Sequence, residues 1–248
     1  VSEHAAYHHG EESLNQTIVG MAQDFVGSNN LNLLYPGGQF GTRLQGGKDS
    51  ASPRYIHTRL EDIVDALYPK SDFPVLKYLD DDGTPVEPEY YTPIIPMCLV
   101  NGCQGIGTGF STTIPSYHPL QLIEALCQKI RKEDIRLLEP WYAGFRGTIT
   151  KKNDTGYLTK GKYRIVNYKT IEVTELPIGV WTEDYKEFLE TLLIDYVPPK
   201  KKTRGGEEAV VAKKVVNKGY LRSYENHSTE SSVLFRLEFK PDVLRKFV

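Results

Sequence analysis

Residues 10–26 read GEESLNQTIVGMAQDFV, residues 31–47 LNLLYPGGQFGTRLQGG, and residues 51–56 ASPRYI. In the first stretch Leu14, Ile18, Met21, Ala22 and Phe25 recur at helical spacing, which predicts an amphipathic helix from Glu11 to Val26. Glu11 and Glu12 fall in its first turn, where negative charge suits the helix dipole. The second stretch alternates short apolar runs with Gly and Pro pairs, the pattern of strands and tight turns, and predicts a small β-wing. In the third, Ser52 and Pro53 suit an N-cap and a first helical position. Ile56, Leu60, Ile63, Val64 and Leu67 would form the apolar stripe of a second helix with Tyr55 in its first turn. Helix, ribbon and helix together predict a winged helix, that is, a helix-turn-helix with a β-wing, whose 11–26 helix is free to enter a DNA groove.

Outward from this block the pattern is α+β. An acidic turn at Asp80–Gly83 precedes a Pro-punctuated, strand-like run, PIIPMCLVNG (93–102), and the glycine-rich GIGTG (105–109). Leu122, Ile123, Leu126 and Ile130 mark a helix. Alternating runs between Phe145 and Val173 predict an antiparallel sheet, and Trp181, Tyr185, Phe188, Leu189 and Leu192 a further helix. Residues 198–208 have the composition of a surface loop, and SSVLFRLEF (231–239) reads as a closing strand.

The 248 residues, with 40% hydrophobic and 11% aromatic side chains, are enough for a sizeable core and exclude a disordered tail. No run reaches the roughly 18 apolar residues of a membrane span. Three cysteines (Cys98, Cys103, Cys127) without C-x-x-C spacing argue against a disulfide framework or a zinc ribbon and for a reducing compartment. The first residue is Val rather than Met and no signal peptide follows, so the start reads as a fragment boundary. A net charge of −2 argues against a polyanion binder as a whole, but the basic residues are unevenly placed. Residues 129–169 carry eleven basic against four acidic side chains, a local +7, and the four basic residues of the first 68 (Arg43, Lys48, Arg54, Arg59) lie within 17 positions.

Arg54 and Tyr55 put a guanidinium beside a phenol at an expected helix N-terminus, a natural seat for a phosphate. A tyrosine that attacks a phosphodiester must lose a proton of ordinary pKa about 10 while charge gathers on the phosphoryl oxygens, and Arg54 could neutralise that charge. Against this, the chain has sixteen tyrosines, and one in a first helical turn usually just packs its ring. His8 and His9 precede the first helix, where an imidazole could donate to the same phosphate; surface or cap residues are the plain alternative. His4 and His8, four apart, lack the third ligand of a zinc site. The glycines around GIGTG follow neither G-x-G-x-x-G nor a G-K-[ST] loop, so nucleotide binding is rejected there. Ile106 between two glycines is either a core residue or a wedge of the kind that enters base steps. Asp80–Asp82 suit a solvated turn. The Asn15, Asn153 and Asn226 sequons carry little outside a secretory context, and KKKTR matches a localisation signal only weakly.

YHHGEESL (7–14), FVGSNNLNLL (25–34), GQFGTR (38–43), GGKDSASPRYI (46–56), VEPEYY (86–91), PIIPMCLVNG and GIGTGFS (105–111) together resemble the breakage-reunion region of type IIA DNA topoisomerases of the eukaryotic type, over residues 1 to about 195. The resemblance implies a winged-helix domain at 1–92, a mixed α/β tower domain at 93–248, and an insertion at about 199–218. It makes Tyr55 the nucleophile that joins a 5′ phosphate, with Arg54 and His9 stabilising the transition state. Ile106 becomes an intercalating wedge that bends the gate duplex, with Glu11, Ser13, Arg43 and Lys48 also at the DNA and the 129–169 stretch along the duplex arms. Phe110 and Tyr90 stand where relatives often carry Trp. The implied activity is ATP-dependent passage of one duplex through a transient break in another, relaxing and decatenating DNA, by a nuclear homodimer. Mg²⁺ would be held by a Toprim domain and ATP by an ATPase domain, both outside this chain, so that no metal site falls within it and the chain alone is inert. The rivals are a winged-helix protein that bends DNA without cutting it and a cleavage-defective paralogue.

Overall fold

The computed structural model describes all residues except 1, 3, 155, 194–218, 242 and 245–248. The expected loop at 198–208 and insertion at 199–218 lie outside the described residues. The architecture is mixed α and β, in two compact units, one up to Phe145 and one from Arg146 onward.

In the first unit, α1 (Glu11–Ala22) follows Gly10, whose φ of 85° suits glycine, and buries only Ala22. It stops four residues short of the expected Val26 because tertiary partners capture its end. The Asn29 amide donates to the carbonyls of Gly20 and Gln23, both at 2.8 Å, satisfying acceptors that the last turn leaves open. Gln23 itself is extended, and its amide donates to Phe40 O at 2.9 Å and Gly47 O at 3.3 Å.

The expected second helix is shorter than its apolar stripe, and the expected β-wing is held by isolated bridges rather than by strands. Residues 31–47 contribute only isolated antiparallel bridges, Leu34 to Leu60 and Gly37 to His57. Their partners lie in the segment expected to be helical, which instead holds one 3₁₀ turn, Pro53–Tyr55, an extended Ile56 (φ −124°, ψ 157°), and then α2 (Ile63–Leu67). Ser52 makes no side-chain cap, and the N–H and C=O of His57 are both spent on Gly37 at 3.0 Å, so neither can serve a helix. Gly37 permits that approach: a Cβ there would lie 2.6 Å from the His57 ring.

β1 (Tyr78–Asp81) and β2 (Thr84–Pro88) form a hairpin closed by Asp82 and Gly83, both at positive φ (52° and 84°), and the Gly83 N–H donates to Asp80 Oδ1 at 2.8 Å. The acidic run is therefore a turn, as its composition predicts. The run at 93–102 is not a strand. Pro93 and Pro96 lack ladder donors, and Pro96 opens a one-turn helix, α3 (Met97–Val100). GIGTG belongs to a second hairpin, β3 (Cys103–Gly107) with β4 (Phe110–Ile114). α4 (Pro119–Ile130) starts where His118 Nδ1 accepts from the Leu120 N–H at 3.2 Å. Leu67, Ile95, Val100 and Leu122 make the core of this unit, each worth about 1.5–3 kcal/mol on burial. Asn30 stitches around it: its amide donates to the carbonyls of Val100 (2.9 Å), Trp141 (3.0 Å) and Tyr117 (3.2 Å), and its Oδ1 accepts from the Ala143 N–H (2.8 Å). Residues 93–145 thus pack with the residues before them.

The second unit holds the antiparallel pattern expected from Phe145 onward. β5 (Thr148–Asn153) pairs with β6 (Gly156–Lys160). β7 (Lys162–Asn167), β8 (Thr170–Glu175), β9 (Leu221–Asn226) and β10 (Phe235–Phe239) form an antiparallel sheet in the order β7-β8-β10-β9. α5 (Thr182–Glu190) packs on it over a core of Leu176, Leu189, Leu221, Val233, Phe235 and Leu237.

The Tyr224 hydroxyl donates to Glu190 Oε1 at 3.1 Å, joining β9 to α5. Burial first, then this bond and the carboxylate charge, pushes the phenol up to about 12. Folding therefore favours the protonated ring. The stability it contributes is complete below about pH 10, the ordinary tyrosine value, and is lost as pH rises towards 12. Site-resolved NMR of the tyrosine Cζ signals should give Tyr224 a midpoint near 12 that falls in Glu190→Gln; a midpoint near 10 would show that the pairing is absent in solution.

Candidate functional site

Tyr55 ends the 3₁₀ turn and is 75% exposed, so it is not a packed ring. The turn is closed by the Tyr55 N–H on Ser52 O at 2.9 Å and by the Ile56 N–H on Pro53 O at 3.5 Å. Its flanks are anchored: the Ala51 N–H donates to Gln39 O at 2.9 Å on one side, and His57 exchanges two bonds with Gly37 on the other. The Arg54 guanidinium carbon lies 5.8 Å from the centre of the Tyr55 ring. Because a single 3₁₀ turn has no helix behind it, positive charge at this seat comes from Arg54 and not from a helix dipole.

Beside the turn runs a groove of about 640 Å³, with Glu12, Asn15 and Gln16 of α1 on one wall and Lys48, Ser50, Ser52 and Pro53 on the other. Most of α1 is solvent-accessible, and its exposed Glu11, Glu12 and Ser13 sit at the start of the helix. Glu12 is held by the Gln16 amide at 3.0 Å, and Ser13 Oγ accepts from the Tyr7 hydroxyl at 3.0 Å. The His9 ring meets Tyr7 edge-on at 5.4 Å. No direct contact joins His9 to Tyr55 among the described residues.

Lys48 is exposed in the groove, whereas Arg43, also expected at the DNA, is 4% exposed. Ile106, paired with Ser111 next to the hairpin turn, is 82% exposed, and Phe110 beside it 84%, which removes the core reading for Ile106. His4 and His8 precede α1 and share no helix face. Among the described residues no three His, Cys, Asp or Glu side chains converge as a metal site, and no helix is long and apolar enough to cross a membrane. Sequence reading passes over Gln23 and Asp49, whose side chains bond the backbone of the loop leading to the turn; a polar residue in a Gly-rich stretch gives no sign of where its partner lies.

Similarity to known proteins covers nearly the whole chain. The family model for the A subunit of DNA gyrase/topoisomerase IV matches residues 1–243. A probable DNA topoisomerase 2 of Dictyostelium discoideum is 54% identical over 197 residues, 77% of this chain and 13% of its own length. DNA topoisomerase 2 of Arabidopsis thaliana is 44% identical over 264 residues, 100% of this chain and 18% of its own. A second Dictyostelium relative, a mitochondrial DNA topoisomerase 2, is 47% identical over 96% of this chain and 17% of its own. The chain thus spans under a fifth of each of these relatives. The crystal structure of the Plasmodium falciparum topoisomerase II DNA-binding, cleavage and re-ligation domain superposes with a TM-score of 0.88 at 44% identity, over 99% of this chain and 31% of that one.

Proposed function

The chain belongs to the family of DNA gyrase/topoisomerase IV A subunits, and from that premise we propose that it is the part of a type IIA DNA topoisomerase that cuts and reseals duplex DNA through Tyr55. The observation that carries the reading is the exposed Tyr55 phenol with the Arg54 guanidinium 5.8 Å from its ring, on a turn anchored at both flanks beside an open groove. Tyr55 Oη attacks the phosphorus of a backbone phosphodiester and gives up its proton. The P–O3′ bond breaks, the 3′ oxygen leaves as a hydroxyl, and the 5′ phosphate stays on the tyrosine. Attack by the 3′ hydroxyl reverses each step, so resealing needs no outside energy source. Arg54 neutralises charge on the phosphoryl oxygens and His9 donates to the same group when DNA is bound. Glu11, Ser13 and Lys48 border the duplex, and Ile106 wedges between base steps.

Residues 1–92 serve as the winged-helix part and 93–248 as the tower, whose first segment, up to Phe145, packs against the winged-helix part within the first unit. The parent protein acts as a nuclear homodimer that passes one duplex through another at the expense of ATP. Among the described residues no acidic cluster is arranged to hold Mg²⁺; the family resemblance assigns Mg²⁺ to a Toprim domain and ATP to an ATPase domain of a longer polypeptide.

Incubation of the full-length dimer with end-labelled duplex, followed by denaturation in detergent, tests this. A covalent adduct through the DNA 5′ end, mapped to the peptide that contains Tyr55, is the expected result. A protein that bends DNA and leaves no adduct is the architectural rival. Ile106→Ala should reduce the bend angle while most affinity remains, because a wedge acts on DNA shape and phosphate contacts supply the binding; an unchanged bend removes the wedge.

A further inference from the structure

Among the described residues no hydrogen bond holds the Tyr55 hydroxyl, so the place of the phenol is set by the backbone that carries it. That backbone leaves a folded loop, residues 39–51, closed on itself by the Gly47 N–H on Thr42 O (2.9 Å), the Ser50 N–H on Gly47 O (3.4 Å) and the Ala51 N–H on Gln39 O (2.9 Å). Two side chains lock it. Asp49 accepts with one carboxylate oxygen from the Thr42 N–H (2.9 Å) and with the other from the Thr42 hydroxyl (2.5 Å). Gln23, at the end of α1, donates to the carbonyls of Phe40 and Gly47. The fit is close: a Cβ on Gly41 would lie 2.6 Å from the Gly47 backbone, and one on Gly47 would lie 2.2 Å from the Gln23 amide. The loop is thus tied across itself and to α1, and Ser52 follows Asp49 by three residues.

We propose that Asp49 and Gln23 are positioning residues for the cleavage reaction, locking the 39–51 loop so that the turn after it presents Tyr55 at a fixed place beside the groove. The proposal rests on the reading of Tyr55 as nucleophile. Neither side chain needs to touch DNA for this. Each acts by holding the phenol within reach of the phosphorus, and a displacement of about 1 Å at such a step costs about a hundredfold in rate.

Asparagine separates geometry from charge. Asp49→Asn has the carbonyl oxygen to accept from the Thr42 N–H and an amide that can donate to the Thr42 hydroxyl oxygen, yet it removes the same negative charge as Asp49→Ala. In the full-length dimer, Asp49→Ala should slow both cleavage and religation about a hundredfold, with DNA affinity and thermal midpoint at wild-type values, and Asp49→Asn should restore most of the rate. Gln23→Leu, which removes the amide bonds and leaves Asp49 in place, should give the same split between rate and affinity. It decides the matter alone if Asp49→Ala lowers the thermal midpoint. Wild-type rates in Asp49→Ala and Gln23→Leu, equal losses in the Ala and Asn variants, or a loss of affinity in step with the rate would each overturn the proposal. The wild-type control keeps the two readings apart: no adduct in wild type removes the role of Tyr55, whereas a wild-type adduct with unaffected variants removes only the role of Asp49 and Gln23.

Discussion

Tyr55→Phe is expected to abolish the covalent DNA adduct, with a rate loss on the order of 10⁶, as when a covalent nucleophile is removed from other enzymes. The substitution deletes one oxygen and little else. The ring is 75% exposed, so no cavity opens, and the face that the Arg54 guanidinium approaches at 5.8 Å is retained. The turn is closed by backbone groups that phenylalanine also carries. The thermal midpoint and the affinity for duplex should therefore stay at wild-type values while cleavage disappears. Gel-shift titration, a thermal melt and detergent trapping on one preparation read all three quantities. An adduct persisting at the wild-type level in Tyr55→Phe would move the nucleophile to another residue, and peptide mapping would show which other side chain, among the fifteen further tyrosines of this chain or elsewhere in the full-length protein, carries the DNA.

What the sequence reveals of this structure follows the range of the forces involved. The antiparallel strands between Thr148 and Glu175 and the strand Phe235–Phe239 are legible because alternation is a local signal, and α4 and α5 because their apolar stripes are. α1 is legible in its body but not at its end, where Asn29 and Gln23 bond to groups that sequence spacing does not reveal. The segment after Pro53 misleads most. Ile56, Leu60, Ile63 and Val64 fit a helical stripe, yet His57 and Leu60 bridge to Gly37 and Leu34, about twenty or more residues earlier, and long-range pairing overrides the local period. The site divides the same way. Arg54 and Tyr55 are neighbours in the chain and so meet in any fold, whereas the groove that unites Glu12 with Ser52 and Pro53 exists only after folding. The burial of Arg43, 4% exposed while nearby Lys48 is open to solvent, has no counterpart in composition.

Arg54→Ala should lower the rates of both cleavage and religation by about 10²–10³, or ~2.7–4 kcal/mol of transition-state stabilisation, while duplex affinity falls far less. The charge on the phosphoryl oxygens grows as Tyr55 Oη attacks, so a guanidinium beside the ring contributes more to the transition state than to the bound ground state. Two other effects of the substitution are too small to account for such a loss. The contact between guanidinium and ring at 5.8 Å is worth about 0.5–1 kcal/mol at an exposed site. A lost phosphate contact in the ground state weakens binding and reduces the salt dependence of affinity by about one charge, which a titration across salt concentrations measures directly. Arg54→Lys supplies the discriminating control. It keeps the positive charge but not the planar fork that can bond two phosphoryl oxygens at once, so it should restore binding fully and the rate only in part. Losses of equal size in affinity and rate for Arg54→Ala would make the residue a phosphate tether, and complete rescue by lysine would show that charge alone, without the fork, stabilises the transition state.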